Sequence, residues 1–284
     1  MKSMMMLMPA LCATLALGAG LENEYVTITF GEKGEVVSIK DKANGRELVK
    51  KPMPFAEVTL KDGKTKLIPE KFAQRGDKLG WTFPGGGGFL LSVKPFKGGW
   101  TFTSEKFTVA DAETCEYFRM ALACNKYKGG YVHMLSDDED AVCVRSYGLK
   151  LQMTQPGGYW GSREWGYYYP VVACAEWGFT GHKCGLSAGP KDRIQTMLQA
   201  MTYEADVPMS KCGGAWCLGA DENRYSYVFS YYDGNNFDEW LNMLDLTGIG
   251  TMHFHLWYSS SGHYTNINPN KFPKGLAGLK EAAD

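Results

Sequence analysis

The chain lacks an excess of either charge. Its 30 Lys and Arg stand against 31 Asp and Glu, for a net charge of −1. That removes the electrostatic ground for nucleic acid or an anionic membrane surface as a partner. Beyond the first twenty residues no apolar run reaches the length of a membrane-spanning helix. The eight cysteines lack zinc-site spacing: four residues separate Cys212 from Cys217, and no second pair follows at ribbon distance. "PGGGG" at Pro84–Gly88 lacks the Lys-Ser/Thr ending and the following helix of a phosphate loop, so it reads as a turn. No cofactor motif emerges, and no cofactor or metal is expected. Helical periodicity is missing from residues 24 to about 122.

What is present is apolar and aromatic. Of 284 residues, 44% are hydrophobic and 13% aromatic, including eight Trp and sixteen Tyr. The chain can bury a core, and the aromatics fit a β-rich core or flat surfaces for sugar rings. The N-terminal "MKSMMMLMPALCATLALGAG" has a Lys2 n-region, an apolar Met4–Leu17 stretch and small residues before Leu21. It reads as a signal peptide over 1–20, giving a secreted or periplasmic protein with no membrane attachment after its removal. Cys12 leaves with it. Seven cysteines remain, an odd number, so at least one stays outside any pairing within the chain. A local Cys212–Cys217 loop and buried thiols both stay open.

Residues 22–232 read as an antiparallel β-sandwich. "EYVTITF" alternates, "FAEVTLKDGKTKLIPEKF" carries an Asp62-Gly63 hairpin signal, and turn signals recur along the stretch. The acids Asp137–Asp140 do not alternate as a calcium loop requires, so they read as a solvated loop, with an irregular calcium site as the alternative. "QPGGYWGSREWGYYYP" at 155–170 is the most aromatic stretch. Its Gly and Pro mark a loop, which makes Trp160 and Trp165 candidates for sugar contact. "GPKDRIQTMLQAM" at 189–201 spaces Ile194, Met197, Leu198 and Met201 as one helix face, with the Met residues filling gaps in a core.

The grammar changes near residue 233. "NNFDEWLNMLDLTG" has a capping-box pattern at Asn236 and Glu239 and an apolar stripe of Phe237, Trp240, Leu241 and Leu244, with Gly248 as a stop. "IGTMHFHLWY" reads as a buried strand, followed by a long polar loop and a helix beginning in "LAGLKEAAD". This is an α/β unit spanning 233–284. His253 and His255 stand two apart on the strand and share a face. They could ligate a metal that activates water, which makes a metal-dependent hydrolase one alternative reading.

The stretch "GIGTMHFHLWYSSSGHYTNINPNKFPKGLAGLKEAAD" resembles the first strand, loop and helix of the catalytic (β/α)8 barrel in the alpha-galactosidase (melibiase) superfamily of glycoside hydrolases. Trp257, Gly262, Tyr264, Asn268, Phe272, Pro273, Gly275, Leu276 and Leu279 follow the family's order. Upstream, "GEVVSIKDKANGREL" is similar to the opening strands of the sandwich domains that precede such barrels. Where relatives carry paired Asp ahead of the strand-one Trp, this chain has His255 and Leu256, which implies a distant branch. The resemblance implies an exported glycoside hydrolase acting on glycans, with His255, Trp257, His263 and Tyr264 contacting sugar. A full barrel takes about 250 residues, so residues 233–284 are expected to be its incomplete beginning. The resemblance puts the catalytic carboxylates on later strands, and no catalytic residue is assigned in this chain. A fragment inactive on its own follows from that expectation. A non-catalytic carbohydrate-binding sandwich is the alternative of another class.

Overall fold

The structure, a computed structural model, describes residues 19–129, 133–153, 169–206, 211–212, 214–216, 220, 227–230, 237–254, 257–259 and 266–283. In chain order the strands are β1 (Gly20–Glu22), β2 (Val26–Phe30), β3 (Val36–Asp41), β4 (Val49–Lys51), β5 (Ala56–Leu60), β6 (Lys66–Leu67), β7 (Lys71–Arg75), β8 (Lys78–Thr82), β9 (Gly88–Phe96), β10 (Gly99–Phe107), β11 (Ala112–Tyr117), β12 (Ala121–Leu122), β13 (Tyr127–Gly129), β14 (Met134–Ser136), β15 (Asp140–Ser146), β16 (Val171–Cys174) and β17 (Lys183–Pro190). Helix α1 (Ile194–Glu204) follows, then β18 (Lys211–Cys212), β19 (Ala215–Trp216), β20 (Tyr227–Ser230), α2 (Phe237–Thr247), β21 (Thr251–Phe254) and α3 (Leu276–Ala283). The chain divides into two compact units, one ending at Pro208 and the other running Met209–Asp284.

The first unit is an antiparallel β-sandwich. Its largest sheet has eight strands in the order β13-β14-β15-β17-β10-β9-β8-β7; a three-stranded sheet β1-β2-β3, a four-stranded sheet β16-β11-β5-β6 and the pair β12-β4 complete it. Alternation decides which faces go inward. In β2, Val26, Ile28 and Phe30 are buried while Thr27 and Thr29 are half-exposed, and in β9 Phe89, Leu91 and Val93 are buried in the same rhythm. One continuous core joins these sheets. At its centre Phe55 stacks on Trp81 of β8, with centroids 4.8 Å apart and planes 7° from parallel, and meets Phe118 edge-on at 5.1 Å. Phe89 of β9 meets Tyr117 of β11 at 5.3 Å, and Phe102 of β10 meets Phe118 at 4.8 Å. Each such aromatic pair adds about 0.5–1.5 kcal/mol beyond the area it buries.

The Asp62-Gly63 hairpin forms as the sequence indicates: the Asp62 carboxylate accepts the N–H groups of Lys64 at 2.9 Å and Thr65 at 2.8 Å between β5 and β6. The helix expected from residue 189 starts at Ile194 instead. Strand β17 continues to Pro190 because Ala188, Gly189 and Pro190 still pair with Val142, Ala141 and Asp140 of β15. A short 3-10 turn over Lys191–Arg193 then leads into α1, whose Met197 and Met201 are buried. Cys115, Cys124, Cys143, Cys174 and Cys184 are buried thiols and form no disulfide. Strand β1 takes in Gly20, one residue ahead of the expected mature start. Gly20 exchanges hydrogen bonds with the Gln74 amide at 2.7 and 3.0 Å.

The second unit starts earlier than the boundary at 232/233 that the sequence suggested. Strand β20 lies before that boundary, yet it pairs in parallel with β21, Tyr227 opposite Thr251 through Ser230 opposite Phe254. A parallel pair needs a crossover, and α2 lies between the two strands in sequence. The short aromatic run "YVFS" resembles another sandwich strand when read alone; its parallel partner assigns it to the α/β unit. Among the described residues the parallel sheet has two strands and no closed barrel.

Gly99 marks the tightest approach between the central strands. A Cβ there would stand 2.3 Å from the Leu186 carbonyl oxygen and 2.7 Å from the Phe96 ring. Gly99→Ala is expected to lower stability by about 1–3 kcal/mol, since strand backbone must shift. Gly148→Ala, where nothing lies within 4 Å, is expected to stay within about 0.5 kcal/mol of the parent. Urea denaturation followed by tryptophan fluorescence measures both.

Candidate functional site

In parallel βα arrangements ligands gather at the C-terminal ends of the strands. Trp257 lies just beyond that end of β21. Its half-buried ring meets the Tyr258 ring edge-on, centroids 5.5 Å apart at 84°. The chain that follows folds back onto this point. Tyr258 forms an antiparallel bridge with Ile267. The Ser259 N–H donates to the Asn266 carbonyl at 2.8 Å, and the Asn268 N–H donates to the Trp257 carbonyl at 2.9 Å.

Several residues of the sequence pattern have local work here. The Asn268 side chain accepts the Asn270 N–H at 3.0 Å, and its carbonyl accepts the N–H groups of Lys271 and Phe272. That is an Asx turn opening a tight coil. Phe272 is 2% exposed and anchors the coil. Gly275 has φ +59, the left-handed region that costs a residue with a Cβ about 1–2 kcal/mol. Its N–H donates to the Phe272 carbonyl at 2.8 Å and its carbonyl accepts the Leu279 N–H at 3.1 Å, which sets the first turn of α3. Lys274 then pairs with Glu281 at 2.8 Å. The motif therefore ties Trp257 to the start of the helix.

Of the candidate sugar-contacting residues, Trp257 is the one that falls within the described part. His255, His263, Tyr264, Trp160 and Trp165 lie outside the described residues. Tyr169, at the edge of the aromatic stretch, is 4% exposed and packs on the His133 ring at 5.1 Å, so that end of the stretch belongs to the core. Of the His-x-His pair, His253 sits in β21 opposite Phe229, and His255 lies outside the described residues. Among the described residues no cluster of His, Cys, Asp or Glu is arranged to hold a metal ion.

The acidic run departs from both expectations placed on it. It is not a solvated loop: Asp140 is fully buried and the Asp137 side chain is 14% exposed. A cation already occupies its centre. The Arg46 guanidinium donates to Asp140 Oδ2 at 2.9 Å and to both oxygens of Asp137, and it reaches Glu139 at 3.4 Å. Asp137 also accepts the N–H groups of Glu139 and Asp140, each at 3.0 Å. The hydrogen bond from Arg46 holds Asp137 well below the usual carboxylate range. Only Asp138 and Glu139 stay at the surface, Asp138 bonded to Tyr127 and Lys126. Arg46 precedes Asp137 by 91 residues, so no local pattern announced the pairing.

Sequence reasoning also missed a cleft on the first unit, of about 510 Å³, where residues 147–151 meet 181–183 and 204–206. Lys150 and Lys183 face it with Asp206 and Glu204, and Glu204 is held by Lys94 at 3.1 Å. Those residues come from three separated segments with no shared motif.

No family model and no curated protein matches the sequence. Solved structures similar to this one include the alpha-N-acetylgalactosaminidase NagBb from Bifidobacterium bifidum in its GalNAc complex. It shares 10% identity with a TM-score of 0.47, over 93% of this chain and 56% of that one. The ligand-free form of the same enzyme gives 10% identity and a TM-score of 0.43, over 94% and 57%. The chain thus spans a little over half the length of these enzymes. At such identity and TM-score the chemistry has to be argued from this chain's own residues.

The left-handed conformation at Gly275 gives a direct check on how the loop is held. Gly275→Ala meets no neighbour within 4 Å, so the expected loss of about 1–2 kcal/mol comes from backbone strain alone. Gly275→Asn is expected to recover part of it. Thermal denaturation of the two variants beside the parent reads the difference.

Proposed function

We propose that this chain is the N-terminal part of an exported glycoside hydrolase: a β-sandwich followed by the first βα unit of a barrel that acts on glycans. One observation carries the reading. Trp257 is placed at the C-terminal end of a parallel strand and tied by Asn268 to a Phe-Pro-x-Gly-Leu turn that starts the next helix. A half-buried indole at such an end offers a flat apolar face to a sugar ring. In this reading His255, His263 and Tyr264 supply hydrogen bonds around that ring, and Trp160 and Trp165 extend the contact from the aromatic stretch. Hydrolysis needs two carboxyls flanking the scissile bond, and this reading assigns them to strands beyond the first βα unit. The fragment then binds sugar without cleaving it.

The test uses the chain as it stands. A glycan array followed by calorimetry on the retained oligosaccharides should show weak, selective binding. Trp257→Ala should weaken it by about tenfold, the size of one lost ring-stacking contact, and Trp257→Phe should keep part of it. Retention of no glycan, or equal affinity in Trp257→Ala, overturns the reading.

A further inference from the structure

The cleft of about 510 Å³ on the first unit is walled by three segments, and each is held in place. Residues 147–151 are tied at both ends. The Tyr147 N–H donates to the Lys183 carbonyl at 3.0 Å, and Gln152 exchanges backbone hydrogen bonds with Val172 at 2.9 and 2.8 Å. In the second segment the Gly181 N–H donates to the Ser104 carbonyl at 2.7 Å, and the His182 N–H to the Ser104 hydroxyl at 3.0 Å. The third is the end of α1, where the Ala205 N–H donates to the Met201 carbonyl at 3.0 Å and Glu204 is pinned to Lys94 of β9 at 3.1 Å. A cleft walled this way is formed before any ligand arrives, and its volume falls in the range of small-molecule sites, about 300–1,000 Å³.

One wall is aromatic. The Tyr147 ring lies against Gly185 of β17, where a Cβ would stand 2.2 Å from the phenol oxygen and 2.9 Å from Cε1. Glycine weakens a strand interior, and here the missing side chain makes room for the ring. The phenol oxygen is buried, while the half-buried ring lines the cleft.

The remaining walls carry charges that are not spent on each other. Lys150, Lys183 and Asp206 line the cleft, and their side chains form no ion pair or hydrogen bond among the described residues. Glu204 is already answered by Lys94. His182 is committed as well: its Nε2 lies 2.9 Å from the Gly178 carbonyl, which can only accept, so that nitrogen donates. Two ammonium groups and one carboxylate are left, a surplus of one positive charge. The carboxylate stands in a costly place. Asp206 has φ +53 just past the end of α1, a position that helices usually give to glycine. The negative end of the helix dipole disfavours a carboxylate there too. Hydroxyl groups donating to Asp206 would offset that cost.

We propose that this cleft binds a uronic-acid unit of an acidic polysaccharide. The sugar carboxylate pairs with Lys150 and Lys183, ring hydroxyls donate to Asp206, and the apolar face of the ring rests on Tyr147. Charge-assisted bonds from the ammonium groups supply the stronger contacts, and the aromatic face supplies the apolar one. Simpler ligands leave a group unanswered. A bare anion brings no donor to Asp206, a neutral sugar leaves the surplus positive charge, and a metal cation meets two ammonium groups for one free carboxylate. The cleft shares no residue with the strand-end site at Trp257 and lies in the other unit, so the two readings stand or fall separately.

Calorimetry on the whole chain tests the assignment, with the methyl glycosides of glucuronic and galacturonic acid as probes. Methyl glucoside and acetate serve as the neutral and the bare-anion controls. At least one uronide should bind, and both controls should bind at least tenfold more weakly. Lys150→Ala and Lys183→Ala should each weaken the uronide by about tenfold, the loss of one charge-assisted contact. Asp206→Gly should weaken it similarly while the melting temperature holds or rises, because glycine suits φ +53. A loss of affinity without a loss of stability marks Asp206 as a ligand contact. Binding of neither uronide, a control that binds as tightly, or unchanged affinity in any of the three variants overturns the proposal.

Discussion

The ring of Phe55 has Trp81 stacked on its face, Phe118 against its edge and Phe30 beyond at 6.2 Å. Those partners come from the three-stranded sheet, the eight-stranded sheet and the segment after β11. No two of these layers can slide without breaking a ring contact at this point. Interiors packed to crystal density do not deform smoothly, so the relative positions of the sheets are fixed here. The hairpins, the β17–α1 junction and the Arg46 cluster are then placed at the ends of strands already held in register.

What the sequence made legible was what short-range periodicity can encode. The strands of the sandwich, the Asp62-Gly63 turn, the two Met of α1 and the α2–β21–α3 order all follow from alternation, helical spacing or turn chemistry. The misreadings share one cause, a partner far along the chain. The four acids from Asp137 to Asp140 look like solvent-facing residues until Arg46 arrives from a different hairpin. Tyr227–Ser230 looks like a further sandwich strand until β21 pairs with it in parallel. The extension of β17 to Pro190 depends on β15, and no local helix propensity at Gly189 or Pro190 opposed it.

The candidate site shows the same division at smaller scale. Asn268, Phe272 and Gly275 stand out in the sequence through the resemblance to the family's loop, and the structure gives each a task met within a few residues: an Asx turn, an anchor, a left-handed φ. The identity of a bound sugar imposes no such local demand. It depends on side chains converging from separate segments, as the cleft near Tyr147 does, and no sequence pattern announces such convergence. Trp257 belongs to both groups. Its position is set by the turn chemistry around it, and its half-buried ring meets Tyr258 edge-on.

The buried sulfurs carry a consequence of their own. Burial pushes Cys143 and Cys184 up to about 12 and Cys115 higher still, and the same applies to Cys124. The reactive species is the thiolate, so the folded sandwich withholds it both by access and by protonation. On unfolding both barriers vanish together, and several nucleophiles enter one flexible chain at once. Wherever an oxidant is present, the unfolded ensemble can therefore acquire crosslinks that the native geometry never samples. Refolding then competes with a covalent reaction, and the lifetime of the native state, more than its equilibrium stability, decides how long the chain survives.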